Sequence, residues 1–265
     1  MPFYTLIQYF PTGPTNHSTQ RYLMITPDQS SADILFRGFQ DSIHQKNTFY
    51  NDYGVHTAVR PDPEIWVLYG TRGVNYFEFA IGGIYDNPNF PVANFGNYLG
   101  VKPLLQSFAK RDTLVSSYPL PLQQRVDSVN YGSFYIRNKH FSDLYWHVGE
   151  GENETRVVMP SKEKRSKFRL KISGNDNKTL VMVNYDEIEL SYFDQYDGNN
   201  EKPLYLSGNT RKWLTTNPSG GTVTVPAKFK MGAIYKGGFS IAPGQSPYIR
   251  YDGDEHPGGD IWELY

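Results

Sequence analysis

Cysteine is absent from the 265-residue chain. That removes disulfides, thiolate metal sites and a cysteine nucleophile together, so stability rests on packing alone. Long apolar runs are also lacking. Segments such as Ile65–Tyr69 fall far short of the roughly twenty residues a membrane span needs. The opening MPFYTLIQYFPTG has no basic leader region and no cleavage site. A soluble protein is therefore expected, cytoplasmic or released without a classical signal peptide. Net charge is only -1 with a sequence pI near 6.6, so nothing global steers the chain to nucleic acid or to an anionic membrane. The six histidines, at 17, 44, 56, 140, 147 and 256, show no H-x-x-x-H or H-E-x-x-H spacing, and no metal site is expected. No glycine-rich loop has a P-loop or dinucleotide pattern. What the chain has in quantity is aromatics and turn formers: 21 Tyr, 16 Phe and 4 Trp, with 24 Gly and 18 Pro. Short strands packed through tyrosine and joined by tight turns account for that composition, and aromatic platforms for sugars are the sharper reading.

Gly132 to Ile172 carries the strongest pattern. Phe134 and Ile136 alternate with Tyr135 and Arg137, and further strands are expected at Asp143–Val148, Arg156–Met159 and Phe168–Ile172. A lobe of four short strands cannot bury its apolar face alone, so copies are expected downstream. Two weaker ones run from Leu180 to Thr215 and from Val223 to Leu264. The lobes close on Phe168-Arg169-Leu170, Trp213-Leu214 and Trp262-Glu263-Leu264. This arrangement resembles the ricin B-type β-trefoil over about residues 130 to 265. The usual glutamine of its Q-x-W signature is replaced by Ser166, by Thr210 or Arg211, and by Asp260. The resemblance implies a lectin-like module whose partner is a glycan or glycoprotein. Its lobes bind sugar through an acidic residue, an aromatic platform and an Asn or Gln. Carried over, those positions are Trp146, His147 and Asn153 in the first lobe, Tyr192, Asp194 and Asn199 in the second, and Tyr248 and Asp252 in the third. In the third lobe Ala242 stands near the usual aspartate position.

The first half reads as a strand at Tyr4–Phe10, a turn at Pro11–Pro14, a strand at Arg21–Ile25, and a short helix capped by Ser30 or Ser31 and stopped at Gly38. A further helix is expected over Val101–Lys110, and Leu120–Val126 reads as a linker that packs. This half resembles ADP-ribosylating toxins of the cholera, pertussis and pierisin type. The resemblance rests on Ile34 and Gly38, on Asp52–Ala58, and on Val74–Asn87 with its Gly-Gly-Ile turn. It places Ile25 where the family has an NAD-contacting arginine. Thr57, between His56 and Ala58, falls in the place of the Ser-Thr-Ser strand. No glutamate occurs between Pro88 and Asn130, where the family carries a Q/E-x-E pair; the acids there are Asp112 and Asp127. The resemblance thus implies a frame without its catalytic charges, because isoleucine makes none of arginine's charge-assisted bonds.

The expected fold is two-domain and mostly β: an α+β ADP-ribosyltransferase-like domain over residues 1–128, then a β-trefoil over 129–265. The expected function is a toxin-like or defence-related binding protein with an inactive transferase-like domain and no cofactor. The alternatives are an active ADP-ribosyltransferase using NAD at a rearranged site, and a protease-inhibitor-like trefoil. Lys162–Lys171 holds six basic residues in ten and reads as a charged turn entering a strand, with an RNA or phosphate patch as the sharper alternative. No oligomeric state is legible.

Overall fold

The computed structural model describes residues 2–11, 20–45, 55–71, 104–108, 126–151, 156–194, 200–207, 212–216, 225–242 and 247–265. Contacts divide the chain into Met1–Asp127 and Ser128–Tyr265. Both units are built mainly from β-strands.

In the N-terminal unit, alternation along β1 (Phe3–Pro11) puts Phe3, Thr5, Ile7 and Tyr9 on one face, all completely buried. β1 pairs antiparallel with β2 (Gln20–Thr26). Among the described residues the sheet order is β3-β4-β1-β2-β5, where β3 is Val55–Asp62, β4 is Ile65–Gly70 and β5 is Leu104–Phe108. Helix α1 (Gln29–Gln45) covers the buried face, and its Phe36 and Phe39 rings lie 5.1 and 6.3 Å from Trp66 of β4.

Three expectations are corrected here. The N-cap is Asp28, whose Oδ1 accepts from the Ser31 amide (2.8 Å) and the Ser31 hydroxyl (2.9 Å). Gly38 does not stop the helix. Its cost of about 1 kcal/mol is outweighed by burial of Ile34, Leu35, Phe36 and Phe39, each contributing about 1.5–3 kcal/mol. The region expected to be helical at Val101–Lys110 instead contributes β5, because the open edge of β2 supplies backbone partners from Arg21↔Phe108 to Ile25↔Leu104.

The C-terminal unit repeats one set of contacts three times. Trp146, Leu204 and Phe239 are each completely buried. The carbonyl of each accepts a backbone N–H from the residue two places before a buried aromatic. These bonds are Ser166 N to Trp146 O, Ala227 N to Leu204 O, and Asp260 N to Phe239 O, all 3.0 Å. The aromatics that follow are Phe168, Phe229 and Trp262. Each repeat also carries a hairpin: β8 (Tyr145–Glu150) with β9 (Arg156–Ser161), β13 (Tyr205–Ser207) with β14 (Trp213–Thr215), and β16 (Phe239–Ala242) with β17 (Tyr248–Tyr251). The hairpins bury Val158, Leu214 and Ile249 at corresponding positions. They meet through Thr215↔Val157 and Trp213↔Arg250.

The remaining strands complete the repeats. β6 (Ser133–Phe134) pairs Phe134 with Phe168 of β10 (Phe168–Ile172), and β11 (Glu187–Asp194) pairs Ile188 with Phe229 of β15 (Lys228–Lys230). β12 (Asn200–Pro203) also pairs with β11. In the third repeat a short helix, α2 (Gly232–Tyr235), stands before β16 where the other two have a strand. The ends are joined by β18 (Trp262–Leu264), which pairs with β7 (Ile136–Asn138) through Leu264↔Ile136. The core centres on Trp146, whose ring is 5.1 Å from Phe239, 5.6 Å from Trp262 and 5.8 Å from Phe168.

The expected closing strand of the second lobe, Trp213-Leu214, is corrected by these pairings. Trp213 and Leu214 belong to the hairpin, and the aromatic that corresponds to Phe168 and Trp262 is Phe229, two places after Ala227. An aromatic beside an aliphatic imitates the closing strand, and only register separates the two. The Thr210 and Arg211 assigned to the Q-x-W signature lie outside the described residues.

Asn130 pins the first repeat. Its Nδ2 donates to the Asn175 and Asn177 carbonyls (3.0 and 2.9 Å), and its Oδ1 accepts from the Ile172 amide (2.7 Å), all with 1 % of the residue exposed. Replacing it with alanine leaves three backbone groups without their partner. Asn130→Ala is expected to lower the stability of the C-terminal unit by about 3 kcal/mol, read from the urea midpoint.

Candidate functional site

The positions carried over from the lectin resemblance divide sharply. In the first repeat Trp146 faces inward among Phe168, Phe239 and Trp262, so its ring offers no face to a ligand; this corrects its expected role as a platform. His147 is half-buried, with Nδ1 3.2 Å from the Ser166 hydroxyl. That hydroxyl accepts from the Val148 amide at 2.9 Å, which leaves its proton to point at the imidazole. Burial first, and the Lys164 charge second, push the His147 pKa below its ordinary value, consistent with a neutral ring accepting that proton. Asn153 lies outside the described residues.

In the second repeat Tyr192 and Asp194 are buried, which corrects their expected role as sugar-binding positions. Asp194 Oδ2 accepts from Arg156 Nη1 (2.6 Å), Lys202 Nζ (2.9 Å) and the Tyr192 hydroxyl (3.3 Å). A buried carboxylate needs such partners to stay charged, so Asp194 is committed to the scaffold. Asn199 lies outside the described residues.

The third repeat brings its two positions together at the surface. Tyr248 and Arg250 share one face of β17 because they are two residues apart. Register places Ser240 of β16 and Trp213 of β14 opposite Arg250 on that same face. The Trp213 and Tyr248 rings are half-buried, 5.4 Å apart and tilted by 58°. Arg250 Nε donates to Asp252 Oδ1 at 2.6 Å, its Nη2 donates to the Ser240 hydroxyl at 3.3 Å, and that hydroxyl donates to Asp252 Oδ2. Two half-buried rings thus stand beside a guanidinium and a carboxylate that hold one another in place. Such a carboxylate keeps unused acceptor sites, and such a guanidinium keeps unused donors. Ala242, near the family's aspartate position, pairs with Tyr248 and is buried.

Trp213, Arg250 and Ser240 were not anticipated as site residues. A signal existed for Trp213: it alternates with Leu214, so the two belong to opposite faces, and the shared burial of Val158, Leu214 and Ile249 assigns Leu214 to the core.

In the N-terminal unit the transferase-like positions are not brought together. Ile25 is on β2, half-buried, paired with Tyr4 and Leu104. His56, Thr57 and Ala58 are on β3, with His56 Nδ1 3.1 Å from the Thr57 hydroxyl. β4 and β1 intervene, so at ordinary strand spacing the two groups are about 14 Å apart. The segment Val74–Asn87 lies outside the described residues. The buried charges of this unit are elsewhere. Arg60 Nη1 donates to Asp33 Oδ1 at 2.5 Å and its Nη2 donates to Asp127 Oδ1, with the Arg60 side chain 2 % exposed. Desolvation pushes the Asp33 carboxyl up to about 6 in spite of Arg60, and the neighbouring Asp127 and Asp28 add to the rise. Burial opposes the charge on Arg60, but the two facing carboxylates outweigh it and raise its pKa.

No cluster of three or more His, Asp or Glu fit to hold a metal ion occurs among the described residues. No helix among them is long and apolar enough to cross a membrane. No protein-family model matches the chain, and no curated protein matches it.

Proposed function

We propose that the C-terminal unit is a β-trefoil of the ricin B type and binds carbohydrate on the face formed by Trp213, Tyr248, Arg250, Asp252 and Ser240. The threefold set of 3.0 Å backbone bonds and the pairing of the last strand with the first support the trefoil reading. The observation that carries the ligand reading is the half-buried Trp213–Tyr248 pair beside the Arg250–Asp252–Ser240 network. Sugar rings offer apolar CH faces to aromatics, and their hydroxyls need paired donors and acceptors when desolvated. In this reading the protein is a toxin-like or defence-related binder whose N-terminal unit is an ADP-ribosyltransferase-like frame without that activity. The uncharged Ile25 supports the second half of that statement.

A glycan array tests the proposal. Binding to at least one neutral glycan is expected, and Trp213→Ala is expected to weaken it about 30-fold, as truncation of a central aromatic anchor does. The thermal midpoint of that variant is expected to move far less than that of Trp146→Ala. An array with no bound glycan, or full binding by Trp213→Ala, would overturn the assignment.

A further inference from the structure

The basic run from Lys162 to Lys171 separates into two groups once its partners are known. Lys162 pairs with Asp143 at 3.0 Å, Arg169 pairs with Glu201, and Lys171 pairs with Asp176 at 3.3 Å. Lys164, Arg165 and Lys167 are exposed and have no carboxylate partner among the described residues. They occupy the six-residue connection between β9 and β10, residues 162–167, in which Ser166 is the one buried side chain. Glu163, the carboxylate within the run, sits on a turn held by the Ser161 hydroxyl and makes no ion pair with any of the three.

Arg165 is also positioned. Its guanidinium lies over the Tyr135 ring at 4.4 Å from the centroid and beside the Tyr145 ring at 5.7 Å. A stacked guanidinium keeps its N–H donors pointing outward along its edge, and its rotamer freedom is already restricted. A pre-positioned, unpaired arginine between two lysines fits a tetrahedral or planar anion better than a solvated turn does.

We propose that Lys164, Arg165 and Lys167 form a second site, separate from the Trp213 face, that takes the sulfate groups of an acidic polysaccharide. The aromatic rings nearby favour a polyanion without bases. The Tyr135 and Tyr145 rings are covered by Arg165, Tyr265 by Arg137 at 4.2 Å, and Phe193 by Arg169 at 4.8 Å. Open aromatic faces, which single-stranded nucleic acid uses for base stacking, are thus already occupied beside the patch.

The test is fluorescence anisotropy of the full chain with a labelled heparin octasaccharide, its desulfated form and poly(U) RNA as probes. The sulfated probe is expected to bind. Arg165→Gln is expected to weaken it about tenfold, and the Lys164→Gln/Arg165→Gln/Lys167→Gln variant is expected to flatten the log–log salt dependence by about one per cation removed. Lys228→Gln removes the same unit of charge from a residue paired with Glu187 and is expected to leave affinity within about twofold. Trp213→Ala is expected to leave it unchanged, which separates this site from the neutral-glycan face. Equal weakening by Arg165→Gln and Lys228→Gln, equal binding of the desulfated probe, or poly(U) binding as tight as heparin would each overturn the proposal, the last in favour of a nucleic-acid patch.

Discussion

Replacing Arg60 with alanine is expected to cost the N-terminal unit about 3–5 kcal/mol at neutral pH, read by hydrogen exchange at the amides of β1, β2 and β4. The loss comes less from the bonds removed than from what stays behind. Asp33, buried on α1, and the partly exposed Asp127 would face one another with no cation between them, and Arg60 is the group that ties the helix, β3 and the chain at Asp127 together. The same cluster sets a pH dependence. One cation faces two carboxylates, so the site carries a net negative charge when both are ionised. Asp33 relieves this by holding its proton up to about pH 6, against an ordinary value of 3.8. A folded-state pKa above the unfolded value means that the native unit binds more protons between those limits. The stability contributed by Asp33 is therefore present at about pH 4 and lost as pH rises through 6, an effect of up to about 3 kcal/mol. Asp33→Asn keeps an acceptor for Arg60 and removes the titration. It is expected to flatten the unit's stability profile between pH 4 and 7 and to leave the neutral-pH value at or above that of the parent. A profile that keeps its slope in Asp33→Asn would show that the proton is held elsewhere.

Trp146→Ala is expected to cost the C-terminal unit about 3–5 kcal/mol, the usual range for emptying a buried tryptophan site. The ring fills the space between Phe168, Phe239 and Trp262, so its removal touches two of the three repeats at once. Trp146→Phe should lose much less, since Phe239 occupies the corresponding position in the third repeat. Urea denaturation followed by fluorescence distinguishes this from a ligand-facing role. A variant that folds with an unchanged midpoint and loses only glycan binding would return Trp146 to the surface.

Much of the C-terminal unit was legible because its strands are half-buried and short. Phe134, Ile136, Phe168 and Leu170 announce their faces by alternation, and Phe168–Ile172 forms a strand over the span expected. The second repeat was harder. Its closing strand is Lys-Phe229-Lys, three residues with one apolar side chain, whereas Trp213-Leu214 spells a more conspicuous aromatic–aliphatic pair inside a hairpin. A better signal lay in Val129-Asn130-Tyr131 and Val183-Asn184-Tyr185, which precede β6 and β11 at matching distances and mark where two repeats begin. In the N-terminal unit the sequence leaves the helix start open because Asp28, Ser30 and Ser31 are all competent caps, and the bonds from the Ser31 amide and hydroxyl to the Asp28 carboxylate select among them. The helix end was missed because glycine's local preference is small beside the burial of Phe36 and Phe39 against Trp66.

The sequence by itself determined that no disulfide or thiolate metal site exists, that the protein is rich in short aromatic strands, and which residues alternate along each strand. Tertiary structure alone decided which face of each strand is inside. Period-two alternation divides Trp146 from His147 and Trp213 from Leu214, but it carries no sign; the sign comes from register with strands far away in the chain. Pairing of Trp213 with Arg250 and burial of Leu214 beside Val158 and Ile249 turn one tryptophan outward, while the Phe168, Phe239 and Trp262 rings turn Trp146 inward.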